Sequence, residues 1–134
     1  MNFKLLERAE LARENSYSPY SKFKVGAALL LKNGSVFTGC NIESASYSMT
    51  CCAERNALFS LISQGYDHNN IKAIYIVGDT PGPISPCGAC RQVMAELMPK
   101  DSDVILTNLK GKVEKTNLVK LLPYAFEEFE VDQD

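Results

Sequence analysis

Hydrophobic and polar positions change period several times along this chain. From Phe3 to Asn15, apolar residues recur at helical spacing: Phe3, Leu6 and Ala9, flanked by Leu5 and Ala12, predict an amphipathic first helix. Ser16 to Pro19 is turn-like. Phe23 to Leu31 is short and nearly all apolar, which predicts a largely buried strand. Asn33-Gly34 is the strongest short hairpin signal, so Ser35 to Ile42 is expected to return as its antiparallel partner.

Helical spacing resumes from Cys51 to Ser63, with Thr50 as the expected N-cap and Gly65 as the stop. Ile71 to Val77 reads as a third strand. A loop from Pro81 leads to a helix capped by Ser85, with Pro86 at its first position and Pro99 at its end. Val104 to Thr107 is a fourth strand, and Asn108 to Gly111 a turn. A short strand around Val113 and a helix over Thr116 to Leu122 complete the pattern. The order predicts an α/β fold of three layers, α/β/α. Its mixed sheet has an antiparallel first hairpin and parallel later strands.

Length and charge narrow the reading. The 134 residues, 46% of them hydrophobic, suit one domain over 1–134 with a packed core. No stretch is apolar for long enough to span a membrane, and the charged start of the chain is unlike a signal peptide. A net charge of −2 without a basic block argues against nucleic acid as partner. Five cysteines without an export signal fit thiols in a reducing cytoplasm. Cys40 and Cys51 are expected to be buried and inert.

The other three cysteines carry the chemistry. Cys52-Ala53-Glu54 and the later Pro86-Cys87-Gly88-Ala89-Cys90 each fall at a predicted helix start. Cys52, Cys87 and Cys90 offer three thiolates to one zinc ion per chain. The fourth tetrahedral position is left for water, with Glu54 beside it to move a proton. This spacing is the signature of zinc deaminases. Arg55 is expected to support the ligand sulfurs by donating hydrogen bonds. Ligand-x-Glu spacing favours Cys52 over its neighbour Cys51, which remains the alternative. A closed structural zinc site needs a fourth protein ligand, and none lies at matching spacing. A thioredoxin-like use of Cys87 and Cys90 leaves Cys52 and Glu54 unexplained. The single histidine, His68, sits in a polar stretch and is expected to be exposed.

Beyond these residues, the chain resembles the short, homotetrameric, zinc-dependent cytidine deaminases over nearly its whole length. The resemblance rests on Tyr17-Ser18-Pro19-Tyr20-Ser21-Lys22-Phe23, Val25-Gly26-Ala27-Ala28-Leu29, Gly39-Cys40-Asn41-Ile42-Glu43, Ala45-Ser46-Tyr47-Ser48 and Leu121-Leu122-Pro123-Tyr124-Ala125-Phe126. It implies a hydrolase that converts cytidine and deoxycytidine to uridine and deoxyuridine with release of ammonia, in pyrimidine salvage. The implied partner is a free pyrimidine nucleoside, and the implied assembly a homotetramer with shared active sites. By the same resemblance Asn41 and Glu43 bind ribose hydroxyls, and Phe23 packs on the base. Backbone at Ala53 and at Ser85 to Cys87 reads the base edge, and Tyr47 and Phe126 reach a neighbouring subunit's site. Asn41 and Glu43, two apart at a strand end, project to one side, which suits that role. Two other readings stand beside it. One is a related deaminase acting on another base or on an analogue such as blasticidin S. The other is a zinc-stabilised binding module without activity.

Overall fold

The computed structural model describes residues 1–126. Its elements are α1 (Phe3–Glu14), β1 (Val25–Leu31), β2 (Val36–Cys40), α2 (Ala53–Ser63), β3 (Ile71–Gly78), α3 (Gly88–Leu97), β4 (Asp103–Asn108), β5 (Val113–Thr116) and α4 (Leu118–Leu121). The strands form one sheet in the order β2-β1-β3-β4-β5. Strand β1 is antiparallel to both β2 and β3, β3 and β4 are parallel, and β4 and β5 are antiparallel. The expected antiparallel hairpin is present, whereas parallel pairing is confined to β3 and β4. The turn after β4 is too short for a crossover, so β5 folds straight back, with Gly111 at φ +83°.

Alternation along each strand divides the core in two. Ala27, Leu29, Ile74, Ile76, Val104 and Leu106 face the side covered by α2 and α3. Ala28, Ala73, Tyr75, Val77 and Ile105 face α1. Because both faces are covered, β1 and β3 are apolar almost throughout. Helix α1 docks through Leu5, Ala9 and Ala12; Phe3, expected in its apolar stripe, is 72% exposed. The buried positions follow i, i+4, i+7 and all belong to the expected set, with Leu6 packed at the edge of the core. In α2, Ala53, Ala57, Leu58 and Leu61 are buried and Ile62 is exposed.

Two glycines set how closely the helices approach. A Cβ on Gly26 would lie 2.0 Å from the Ala9 carbonyl oxygen of α1. One on Gly39 would lie 2.4 Å from the Ala57 nitrogen of α2. The second contact seats the N-terminus of α2 against the end of β2, where Asn41 follows.

Both site helices begin later than the pattern predicts. Helix α2 starts at Ala53 with Cys52 as N-cap, and Thr50 instead accepts the Ser44 N–H through its hydroxyl. Helix α3 starts at Gly88 with Cys87 as N-cap, whose sulfur accepts the Cys90 N–H at 3.4 Å. At α3 sulfur therefore takes the capping role expected of serine, whereas the Cys52 side chain makes no capping hydrogen bond at α2. Phe23 precedes β1 rather than opening it, because Lys22 at φ +59° turns the chain there. Among the described residues no helix is long and apolar enough to cross a membrane.

Candidate active site

The crossover from β3 to β4 sends α3 back from the C-terminal end of β3, where open α/β sheets place their ligands. Helix α2 docks on Gly39 with its own N-terminus at the same end. The two N-caps, Cys52 and Cys87, thereby meet. The sulfurs of Cys52, Cys87 and Cys90 all lie within 4.8 Å of one another, and Cys52 and Cys87 are 3.7 Å apart. Zinc–sulfur bonds of about 2.3 Å at tetrahedral angles require a separation of about 3.8 Å. The donor set and its spacing therefore fit one zinc ion, with one coordination position left without a protein ligand. Cys51 is outside the group: its backbone pairs with Ile42, and burial raises its thiol pKa.

Charge around the sulfurs is uneven. A hydrogen bond from the Cys90 thiol, helped by the Arg55 guanidinium, lowers Cys52 to about 5. The same contact and burial push Cys90 strongly upward. Three sulfurs this close cannot all be anionic unless a cation sits among them. Arg55 lies 3.5 Å from the Cys52 sulfur through Nη2, and the thiolate holds its proton more firmly than usual. The Nε of Arg55 is buried without a hydrogen-bond partner among the described residues. Attraction to the sulfurs therefore holds the guanidinium in place. Helix dipoles add positive potential, since both N-termini point at the cluster.

Glu54, in the first turn of α2, is only 4% exposed. Burial raises its carboxyl above the usual range, and negative charge on Cys52 adds to the rise. A carboxyl raised in this way holds a proton more readily than an ordinary one, which suits a group that must both take up and deliver protons.

A cavity of about 340 Å³ opens over these groups. Glu54, Cys52 and Cys87 line it together with Asn41 and Glu43, and Phe23 and Ile84 add apolar surface. Its size lies within the range of small-molecule sites. Asn41 is buried and builds the floor: its Oδ1 accepts the Val25 N–H at 2.8 Å and the Ser16 hydroxyl, and its Nδ2 donates to the Phe23 carbonyl at 2.8 Å. One amide hydrogen is left. Glu43 accepts the Tyr20 and Ser21 N–H groups, each at 3.1 Å, and the Ser21 hydroxyl. The Ser21 bonds hold its carboxyl below the usual range.

Tyr47 and Phe126 do not line this cavity. Tyr47 is 79% exposed beside a second hollow that shares Ser21, Glu43 and Thr50 with the first. Phe126 is also exposed, and its carbonyl accepts from Gln92 of α3. Its acidic followers, from Glu127 on, lie outside the described residues. Cys40 and Cys51 are half-buried rather than fully buried, and burial raises both thiols. His68, expected in solvent, is half-buried with Nδ1 2.7 Å from the Leu97 carbonyl oxygen. Sequence reasoning gave no role to Ser16, Ser21 or Asn56. Polar residues in loops and helix faces carry no periodic signal.

Comparison with known proteins gives the same assignment. Residues 2–106 match the family "cytidine and deoxycytidylate deaminase zinc-binding region". A cytidine deaminase of Sporosarcina psychrophila is 55% identical over 92% of this chain and 89% of its own length. The crystal structure of a cytidine deaminase from Burkholderia pseudomallei superposes with a TM-score of 0.91, at 54% identity, over 94% of this chain and 99% of the other. A blasticidin-S deaminase of Bacillus cereus is 32% identical over 90% of this chain and 91% of its own. The three-sulfur cluster, the buried glutamate beside it and these matches together establish that the chain belongs to the zinc-dependent cytidine deaminase family.

Proposed function

We propose that this protein hydrolyses the C4 amino group of cytidine and deoxycytidine, giving uridine or deoxyuridine and ammonia. The carrying observation is one cavity lined by Glu54, Cys52 and Cys87 together with Asn41 and Glu43, with the buried Cys90 sulfur within 4.8 Å of the other two. Cys52, Cys87 and Cys90 hold the zinc, which when bound supplies a Lewis acid that makes water acidic and nucleophilic near neutral pH.

The chain's own groups do the rest. Asn41 and Glu43 take the ribose hydroxyls, and Phe23 packs on the ring. Backbone at Ala53 and at Ser85 to Cys87 reads the base edge. Glu54 accepts a proton from the attacking water and delivers it to ring N3; it then takes the remaining proton of the added C4 hydroxyl and passes it to the amino group, which leaves as ammonia as the C4 carbonyl forms. Its raised pKa suits both directions. Arg55 offsets part of the thiolate charge.

The 1–134 chain acts as one catalytic domain. Four copies assemble so that Tyr47 and Phe126 complete neighbouring sites; both are exposed and outside their own chain's cavity. Free nucleosides in the cytoplasm are the substrates, and salvage of pyrimidines is the role.

The test follows the ultraviolet change on incubating zinc-loaded protein with cytidine, deoxycytidine and blasticidin S. Glu54→Ala is expected to keep zinc and fold while losing about 10³-fold in kcat. Near-normal turnover by that variant would remove Glu54 from the proton path. Turnover of blasticidin S alone would move the substrate assignment to the analogue.

A further inference from the structure

Two arms of the chain meet in this site. One leaves β2 through Cys40 and carries Asn41 and Glu43. The other passes from Cys51 into α2 and carries Cys52 and Glu54. One isolated bridge joins them: Ile42 N–H donates to the Cys51 carbonyl and Cys51 N–H to the Ile42 carbonyl, both at 2.9 Å. So short a pairing does not fix the angle between two segments by itself. The Ser44 N–H adds one bond beyond it, to the Thr50 hydroxyl at 3.1 Å, and Asn56 adds the contact on the helix side. Its Nδ2 donates to the Cys40 carbonyl at 2.7 Å and to the Cys51 carbonyl at 3.3 Å, one oxygen on each arm. Those two bonds use both amide hydrogens. The backbone of Asn56 is held in the helix by its own N–H to the Cys52 carbonyl at 3.1 Å. Gly39, just before Cys40, already lies against α2, which leaves the two arms little room to slide.

We infer that Asn56 is a positioning residue for deamination. Its carboxamide fixes the ribose-binding arm relative to the arm bearing Cys52 and Glu54. The inference rests on the roles proposed above for Glu43 and Glu54. A nucleoside spans both arms. Binding energy gained at the ribose aligns the base with Glu54 only through a rigid connection between them. With Asn56 gone, the ribose contacts still bind but no longer aim the ring, so kcat falls more than KM rises.

A double-mutant cycle tests this. Asn56→Ala, Glu43→Ala and the double variant are each loaded with zinc, assayed for metal content and melting temperature, and measured with cytidine. Asn56→Ala is expected to keep one zinc per chain and lose about tenfold in kcat, with KM changing less than about threefold. Asn56→Asp, equal in shape but lacking both donors, should fall likewise and serves if the alanine variant does not fold. The double variant should lose less than the product of the single losses, because an uncoupled ribose arm has little left to transmit. Multiplicative losses, wild-type kcat in both Asn56 variants, or losses that vanish when rates are expressed per bound zinc would each overturn the inference. Unchanged kinetics in Glu43→Ala alone would instead overturn the ribose-arm reading beneath it.

Discussion

At the scale of single residues, the site works by charge placed where solvent cannot screen it. Cys52 is already a thiolate above about pH 5, whereas Cys90 keeps its proton under the combined pull of Cys52 and burial. Zinc needs all three sulfurs deprotonated, so binding must expel at least the Cys90 proton. A proton released on binding makes affinity rise with pH. Between pH 6 and 8 the apparent zinc affinity of metal-free protein should therefore climb about tenfold or more per unit. Competition with a chromophoric chelator measures it, and a flat profile would mean that all three sulfurs are ionised before the metal arrives. Burial acts on Glu54 in the same direction as on Cys90. Its carboxyl is pushed up, because the charged form is disfavoured where only 4% of the residue meets solvent.

At the scale of elements, the distances between helix and strand decide where chemistry can occur. Gly26 sets α1 against β1, and Gly39 sets α2 against β2. An alanine at either place drives a Cβ into helix backbone, which cannot yield as a flexible side chain would. Both substitutions should cost about 1–3 kcal/mol in urea unfolding. They should differ in function: Gly39→Ala displaces the helix that carries Cys52 and Glu54, whereas Gly26→Ala touches the opposite layer. Lower kcat in the stable fraction is expected for Gly39→Ala alone. Gly82→Ala, where an added methyl meets nothing within 4 Å, is the neutral control. Equal kcat for the two destabilised variants would show that α2 does not depend on Gly39 for its seat.

At the scale of the whole molecule, the cavity mouth is the least finished part of the surface. Tyr17, Tyr20, Ile42, Tyr47 and Met49 are all large, apolar or aromatic, and exposed, and they come from the segments that border the site. Exposed clusters of this kind mark interfaces more often than free surface. Light scattering of the zinc-loaded protein should give the mass of four chains. Tyr47→Glu should dissociate the assembly and abolish turnover together, since burying a carboxylate against apolar partners is costly. A monomeric wild type with full activity would end the shared-site reading.

Much of this was legible in the sequence. Strand and helix order followed from changes of period. The three cysteines and Glu54 were identifiable because zinc chemistry demands those donor types at that spacing. Asn41 and Glu43 read as a pair at a strand end; they lie just beyond β2, and both line the cavity. Tertiary structure decided what spacing cannot reach. It moved both helix starts to cysteine N-cap residues, which brings the two helix N-termini and their sulfurs together. It turned β5 antiparallel, through a turn too short to cross over. It left Phe3 in solvent and drew His68 to a backbone carbonyl. It also recruited Ser16, Ser21 and Asn56, whose hydrogen bonds join segments far apart in the chain. Periodicity and ligand spacing are local properties, so the sequence alone determined the elements and the reacting groups. The angles between those groups depend on contacts between distant segments, and only the folded chain brings those together.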